Sequence, residues 1–284
     1  MVRIALLVLA ALIAAPTHAQ APTGRLKKIA DARTITIAHR TDASPFSFVD
    51  ANQQITGYTI DLCRKVAESI GRQLGVADLK VKYVPVTTQT RFDVVAKGGA
   101  DMECGASTVS LSRMKLVDFS SYVFVDTTGL MAKAAAGYQS LADLEGKRIA
   151  VVAGTTNERA VNNNLKRRKM TATVVPMASR DEAFAALDAG TVDAFASDAL
   201  LLIGGMIRAK DPKALTLLND KLSYEPYAIA LPRGDYPFRL AVNTALSQIY
   251  SGDDIDEIFS RWFASFGKPT PLAQAVFILG TIPE

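Results

Sequence analysis

Two short polar runs stand where a small molecule could be held. Ala106-Ser107-Thr108 and Ser197-Asp198 each follow a segment that reads as a strand, and each strand follows an amphipathic helix that ends at glycine. The spacing repeats: Phe92, Gly98 and Asp101 in the first half return as Phe184, Gly190 and Asp193 in the second. In open α/β sheets, ligands sit beyond the carboxyl ends of the strands. Two related halves facing each other would therefore enclose a cleft lined by hydroxyls and a carboxylate, which suits binding by hydrogen bonds and charge. The sequence offers no nucleophilic Ser/His pairing, no phosphate loop and no thiolate metal motif. Two cysteines and two histidines cannot build a disulfide framework or a thiolate zinc site. Neither a metal nor a cofactor is expected.

The elements that position these runs alternate along the chain. A β-branched run, Thr34 to Ile37, ends at His39-Arg40. A polar turn, Asn52-Gln53-Gln54, then leads through Gly57 into a helix with Leu62, Val66 and Ile70 on one face. Further strands are expected at Val81 to Val86, Asp101 to Cys104 and Ile149 to Val152. Helices are expected from about Arg91, near Ser110, over Leu141 to Glu145, and after Gly154-Thr155-Thr156. Strands alternating with helices at this spacing indicate largely parallel sheets made of βαβ units. Trp262 and Phe263, in the last helical stretch read from the pattern, are expected to pack in the core. Glu103 falls in an expected central strand, where a buried carboxylate needs a hydrogen-bond donor; a structural network is the expectation.

Composition sets the bounds. A chain of 284 residues, 49% hydrophobic and 21% charged, can bury a sizeable core in one or two domains. Thirty-two basic residues against 28 acidic ones give a net charge of only +4, which argues against nucleic acid as a partner. The basic run Lys166 to Lys169 closes a helix, where cations complement the dipole.

The N-terminus has the form of a secretory signal peptide over residues 1–19: Arg3, an apolar run from Ile4 to Ala15, and Thr17-His18-Ala19 before the cut. The apolar run is short of the about 20 residues that span a bilayer. Ala199 to Ile207 is apolar but stops at Arg208. The mature protein is expected in the periplasm, without stable membrane insertion. Export would permit a Cys63–Cys104 disulfide; the alternative is two buried free thiols.

Several motifs occur in a fixed order: His39-Arg40 with Pro45-Phe46-Ser47, Gly57-Tyr58, Asp101 to Gly105, and Arg113 with Asp118-Phe119-Ser120. The second half contributes Asp143 to Lys147, Gly154-Thr155-Thr156 and Asp198 to Leu201. From about residue 25 to residue 265 the chain resembles the glutamate/aspartate-binding proteins of bacterial ABC importers, within the solute-binding protein family 3 of type II periplasmic binding proteins. The resemblance implies two lobes, each a mostly parallel sheet flanked by helices and joined by a two-segment hinge. Lobe 1 would comprise residues 20–125 and 226–284, and lobe 2 residues 126–225, with crossings near Tyr122 to Asp126 and Glu225 to Tyr227. It further implies a monomer that captures an acidic amino acid by lobe closure and presents it to a membrane permease.

Site residues follow from the same resemblance. Arg113, whose planar fork can grip a carboxylate bidentately, is the expected α-carboxylate clamp, assisted by N–H groups near Ser107 and Thr108 at a helix start and by Thr156 from the other lobe. Asp198 would receive the α-ammonium group; its other reading is a helix N-cap. Arg40, Thr88 and Arg91 match positions that contact the ligand's distal carboxylate, and Arg180 would join them from lobe 2. Resembling proteins commonly carry serine at Ala106, histidine at Arg180 and serine at Thr88, so the ligand could be glutamate, aspartate, an amide or another dicarboxylate. Two other functions use the same scaffold: an exported dehydratase acting on cyclic prearomatic acids, with Glu103 or Asp198 as general acid, and a ligand sensor for a receptor.

Overall fold

The computed structural model describes residues 22–283; the expected signal peptide lies outside the described residues. The first half runs α1 (Gly24–Ala32), β1 (Thr34–His39), the small strands β2 (Asp42–Ala43), β3 (Ser47–Val49) and β4 (Ile55–Thr56), then α2 (Tyr58–Gln73). It continues through β5 (Lys80–Pro85), α3 (Arg91–Ala96) and β6 (Met102–Cys104) to the long β7 (Asp118–Lys133). The second half holds β8 (Arg148–Val152), α4 (Thr156–Arg168), β9 (Thr173–Met177), α5 (Arg180–Asp188), β10 (Ala194–Asp198), α6 (Ala199–Ile207) and β11 (Leu215–Leu217). The strand β12 (Tyr224–Leu231) leads to α7 (Tyr236–Ser251), α8 (Asp254–Phe263) and α9 (Pro271–Gly280).

The strands lie in the order β5-β1-β6-β12-β7-β10-β8-β9, with β11 also on β7. On one side β1 runs parallel to β5 and β6; on the other β8 runs parallel to β9 and β10. The two parallel sets are connected by β7, which pairs antiparallel with β12 from Asp118 to Thr127 and with β10 from Thr128 to Ala132. This is the expected two-lobed α/β architecture, with one strand continuing through both sheets.

Each half has its own packing. In α2, Leu62, Val66 and Ile70 are fully buried, as their spacing of four requires for one face. Around them Phe46, Tyr58, Phe124, Tyr227 and Phe263 form a cluster of tilted and edge-on rings, and the Tyr58 hydroxyl donates to the carbonyl of Val123 at 2.9 Å. Gly57 has φ +133°, and a Cβ there would lie 2.2 Å from the Phe46 carbonyl oxygen; the turn into α2 requires glycine. The second half packs Leu130, Leu144, Ile149, Val151, Val161 and Leu165 on one face of its sheet, and Phe195, Leu187 and Leu202 on the other.

Three local expectations need correction. The helix near Ser110 is a single 3₁₀ turn, Arg113–Lys115; the segment is too short for helical hydrogen bonds to propagate before β7 begins. The stretch holding Trp262 and Phe263 is not the last helix, because α9 follows it after Pro271, a residue favoured in a first helical turn. Phe263 is core, as expected, while Trp262 is half-buried and donates its indole N–H to Asp61 at 2.9 Å.

Cys63 on α2 and Cys104 at the end of β6 are joined in a disulfide, with 6.4 Å between Cα atoms and 41 residues of sequence separation. Closing a loop of that size removes unfolded-state entropy equivalent to about 4 kcal/mol. Replacing both cysteines with alanine should lower unfolding free energy by an amount of that order in a urea titration. An unchanged midpoint would show that the bond contributes no net stability.

Candidate functional site

The proposed ligand residues sit where strands of the two parallel sets end. Arg40 follows β1, Thr88 and Arg91 follow β5, and Ser107, Thr108 and Arg113 follow β6. From the other half, Thr156 opens α4 after β8, Arg180 opens α5 after β9, and Asp198 ends β10. All but the half-buried Thr156 are buried; the arginines are 3–7% exposed, a degree rare for charged side chains without partners. The two halves touch around them: Gln89 Nε2 donates to the Ala178 carbonyl at 3.2 Å, and α6 comes so near the Ser44-Pro45 loop that a Cβ on Gly204 would lie 2.3 Å from the Ser44 carbonyl oxygen.

One end of the cleft is a cluster of cations. Arg40 Nη2 donates to Asp42 Oδ1 at 2.6 Å, and Arg180 Nη1 donates to Asp42 Oδ2 at 3.3 Å from the opposite side. Arg40 Nε and Nη1, Arg91 Nε, Arg180 Nε and the Thr88 hydroxyl have no hydrogen-bond partner among the described residues. Burial, together with repulsion by Arg180 and Arg91, brings the Arg40 guanidinium down to about 9, although Asp42 and Glu103 favour its charge. Burial and the nearby Arg113 and Arg180 bring Arg91 down to about 10. Both remain cationic at neutral pH, so the cluster is a set of desolvated donors suited to an anionic acceptor.

Glu103 lies beneath this cluster. Its two carboxylate oxygens are buried and lack a hydrogen-bond partner among the described residues, so the expected hydrogen-bonded network is not formed. The compensation is Coulombic: burial pushes the carboxyl up, while Arg91, Arg40 and Arg113 pull it down, and burial prevails. Glycine at 105 provides the room, because a Cβ there would come within 2.2 Å of Glu103 Oε1.

Beside the cluster, Arg113 and Asp198 set a cation and a carboxylate within electrostatic reach of each other. Arg113 Nη1 donates to the Thr108 carbonyl at 2.7 Å, fixing the guanidinium, which also lies 5.1 Å from the Phe92 ring centre. Ser107 and Thr108 do not begin a helix. They form a loop against β12, with the Ala228 N–H donating to the Ser107 carbonyl at 3.1 Å and Thr108 bridging to Tyr227. Asp198 occupies the N-cap position of α6 without capping it by its side chain; Asn157 Nδ2 donates to its Oδ1 at 3.1 Å instead. Burial and the repulsion of Glu225 raise the Asp198 carboxyl to about 6. Asp126, which accepts from the Leu200 N–H at 3.1 Å, is raised further, to about 8, by burial and by Asp198.

Glu225 was visible in the sequence only as part of a crossing, yet it organises this region. It accepts from Thr108 Oγ1 at 2.7 Å and Thr156 Oγ1 at 2.6 Å on one oxygen, and from Thr128 Oγ1 at 2.9 Å and Ser223 Oγ at 2.5 Å on the other. Residues from both halves therefore share one carboxylate. A glutamate inside an otherwise apolar strand, Tyr224 to Leu231, was the available signal. Asp42, Asn157 and Asp126 were likewise missed; Asp42 lies two residues after Arg40, and that proximity was its only cue.

Among the described residues, no cluster of His, Cys, Asp and Glu could hold a metal ion, and no helix is long and apolar enough to cross a membrane.

Known proteins resemble this chain in sequence and fold. The chain is 36% identical over 265 residues to the L-glutamate/L-aspartate-binding protein of Pseudomonas aeruginosa, covering 93% of this chain and 87% of that one. It is 31% identical over 260 residues to the glutamate/aspartate import solute-binding protein of Escherichia coli, covering 92% and 86%. Among solved structures it superimposes, with a TM-score of 0.74 and 27% identity, on an ancestral amino-acid-binding protein that is a precursor of cyclohexadienyl dehydratase, covering 84% of this chain and 100% of that one. Residues 35–265 match the bacterial extracellular solute-binding proteins, family 3, and the chain belongs to that family.

Proposed function

We propose that the protein is the periplasmic substrate-binding component of an ABC importer and captures glutamate, aspartate or a close analogue between its lobes. The observation that carries this reading is the group of buried, unpartnered donors on Arg40, Thr88, Arg91 and Arg180. Donors of this kind are costly unless a ligand satisfies them, and an anionic side chain does so best. The α-carboxylate would go to Arg113 with Thr108, Ser107 and Thr156, and the α-ammonium group to Asp198. The relatives' names, L-glutamate/L-aspartate-binding protein and glutamate/aspartate import solute-binding protein, support the same ligand class and a permease as partner. Lobe 1 is assigned residues 20–125 and 226–284 and lobe 2 residues 126–225, with β7 and β12 as the hinge strands; closure around the ligand would produce the form the permease meets. The relatives' names also support binding rather than catalysis. Asp198, held for an ammonium group, is not free for proton transfer.

Calorimetric titration of the mature protein with the common amino acids and dicarboxylates tests the reading. Glutamate or aspartate should bind at least about a hundredfold more tightly than lysine, arginine or leucine, because a charged or apolar side chain would leave several buried guanidinium donors unmatched. Tight binding of a basic or apolar amino acid instead would refute the side-chain assignment. Turnover of a cyclic prearomatic acid to an aromatic product would establish the dehydratase function.

A further inference from the structure

Among the described residues, the ion pairs on each half stay within that half, with one exception. Arg180, at the start of α5, reaches Asp42 on β2 at 3.3 Å, and the other oxygen of Asp42 is held by Arg40 at 2.6 Å. Asp42 is thus a carboxylate of the protein's own placed between two arginines that face each other across the cleft. Its side chain is 12% exposed and those of both arginines 4%, so the three charges are largely out of water. Burial works against ionisation of Asp42, but Arg180 and Arg40 outweigh it and hold its carboxyl below the usual range. The carboxylate is therefore anionic at neutral pH and occupies one donor nitrogen of each guanidinium, leaving Arg40 Nε and Nη1 and Arg180 Nε unpartnered.

We propose that Asp42 is a specificity-determining residue that cancels one of the cleft's positive charges and, through Arg180, ties the two lobes together. The inference rests on the two-lobed binding reading above. It has two separable consequences. In the ligand-free protein, the Asp42–Arg180 contact exists only when the lobes meet, so it biases the equilibrium towards closure before any ligand arrives. In the liganded protein, the Asp42 carboxylate competes with an anionic ligand side chain for the same guanidinium groups. It therefore narrows the difference in affinity between an acidic amino acid and its uncharged amide. Without Asp42, the cleft would carry one more uncompensated positive charge next to the ligand side chain.

Asp42→Asn keeps the shape and removes the charge. Small-angle scattering of ligand-free protein should give a larger radius of gyration for D42N, and equally for R180Q, than for the unaltered chain. Calorimetry with L-glutamate and L-glutamine should show the ratio of their affinities rising about tenfold or more in D42N, the scale of one unit charge a few ångströms away in a partly buried site. Any cost of weakened closure falls on both ligands and cancels in that ratio. Circular dichroism melting confirms that both variants are folded, and D42S provides a second neutral replacement if D42N is not. Unchanged radii in D42N and R180Q would overturn the lobe tie, and an unchanged glutamate-to-glutamine ratio would overturn the specificity role. If neither ligand binds the unaltered protein, the acidic-ligand reading fails, while the scattering comparison still decides whether Asp42 holds the lobes together.

Discussion

Arg113→Ala should reduce affinity for every α-amino acid by about a thousandfold, irrespective of the ligand's side chain, because a desolvated charge-assisted clamp on a carboxylate carries several kcal/mol. Arg113 is well placed for this. It is buried, its Nη1 is tied to the Thr108 carbonyl at 2.7 Å, and the Phe92 ring lies beside it. A guanidinium already held in place loses little conformational entropy when it grips a ligand. The variant also leaves the Thr108 carbonyl without its donor, so part of the loss is expected to come from a looser Ser107-Thr108 loop. Arg113→Lys separates these contributions: it retains a positive charge but not the planar fork, and should recover only a minor part of the affinity. Calorimetry with glutamate, aspartate and glutamine measures all three cases. Affinity retained within tenfold in the alanine variant would remove Arg113 from the carboxylate site and leave Thr156 and Thr108 to be tested in its place.

The contrast between Arg113 and Glu225 shows what could be read from the sequence. Strands, helices and the repeat relating the halves were legible because they depend on local periodicity: alternation in β1, the spacing of Leu62, Val66 and Ile70, and glycine before each Asp. Ser107, Thr108 and Asp198 were legible for the same reason, since the strands they follow could be placed; Arg40, Thr88, Arg91, Arg113, Thr156 and Arg180 came only from the resemblance to glutamate/aspartate-binding proteins. Glu225 was not legible, because its importance comes from four hydroxyls that converge on it from Thr108, Thr128, Thr156 and Ser223. Such a convergence depends on distant segments meeting in space and leaves little local signal. Asp42 was hidden similarly, its partner Arg180 being 138 residues away. The missing helix at Ser110 has the opposite cause. Its residues are compatible with a helix, but β7 captures the chain at Asp118 before one can extend.

Asp198→Asn should lower affinity for the amino acids that bind by about a hundredfold, because removing one partner of a buried charge pair costs a few kcal/mol and leaves the ligand ammonium uncompensated. The same carboxylate predicts how binding depends on pH. In the ligand-free protein, burial and Glu225 raise Asp198 to about 6. An ammonium group beside it favours the ionised form and so lowers that value in the complex. Ligand affinity should therefore be steady above about pH 6 and fall as pH drops below it, by up to about tenfold per unit while the bound ligand must displace a proton. Folding stability of the ligand-free protein should move in the opposite direction. A carboxyl raised in the folded state binds more protons there than in the unfolded chain. Stability is then lost as pH rises from the ordinary carboxylate range through about 6 for Asp198 and about 8 for Asp126. Asn at position 198 should flatten both profiles: the fall in affinity below pH 6 and Asp198's share of the stability slope. Calorimetry and urea titration between pH 5 and 8 measure the two. An affinity fall below pH 6 that persists unchanged in the Asn variant would assign the titration to another group and remove Asp198 as the ammonium's partner.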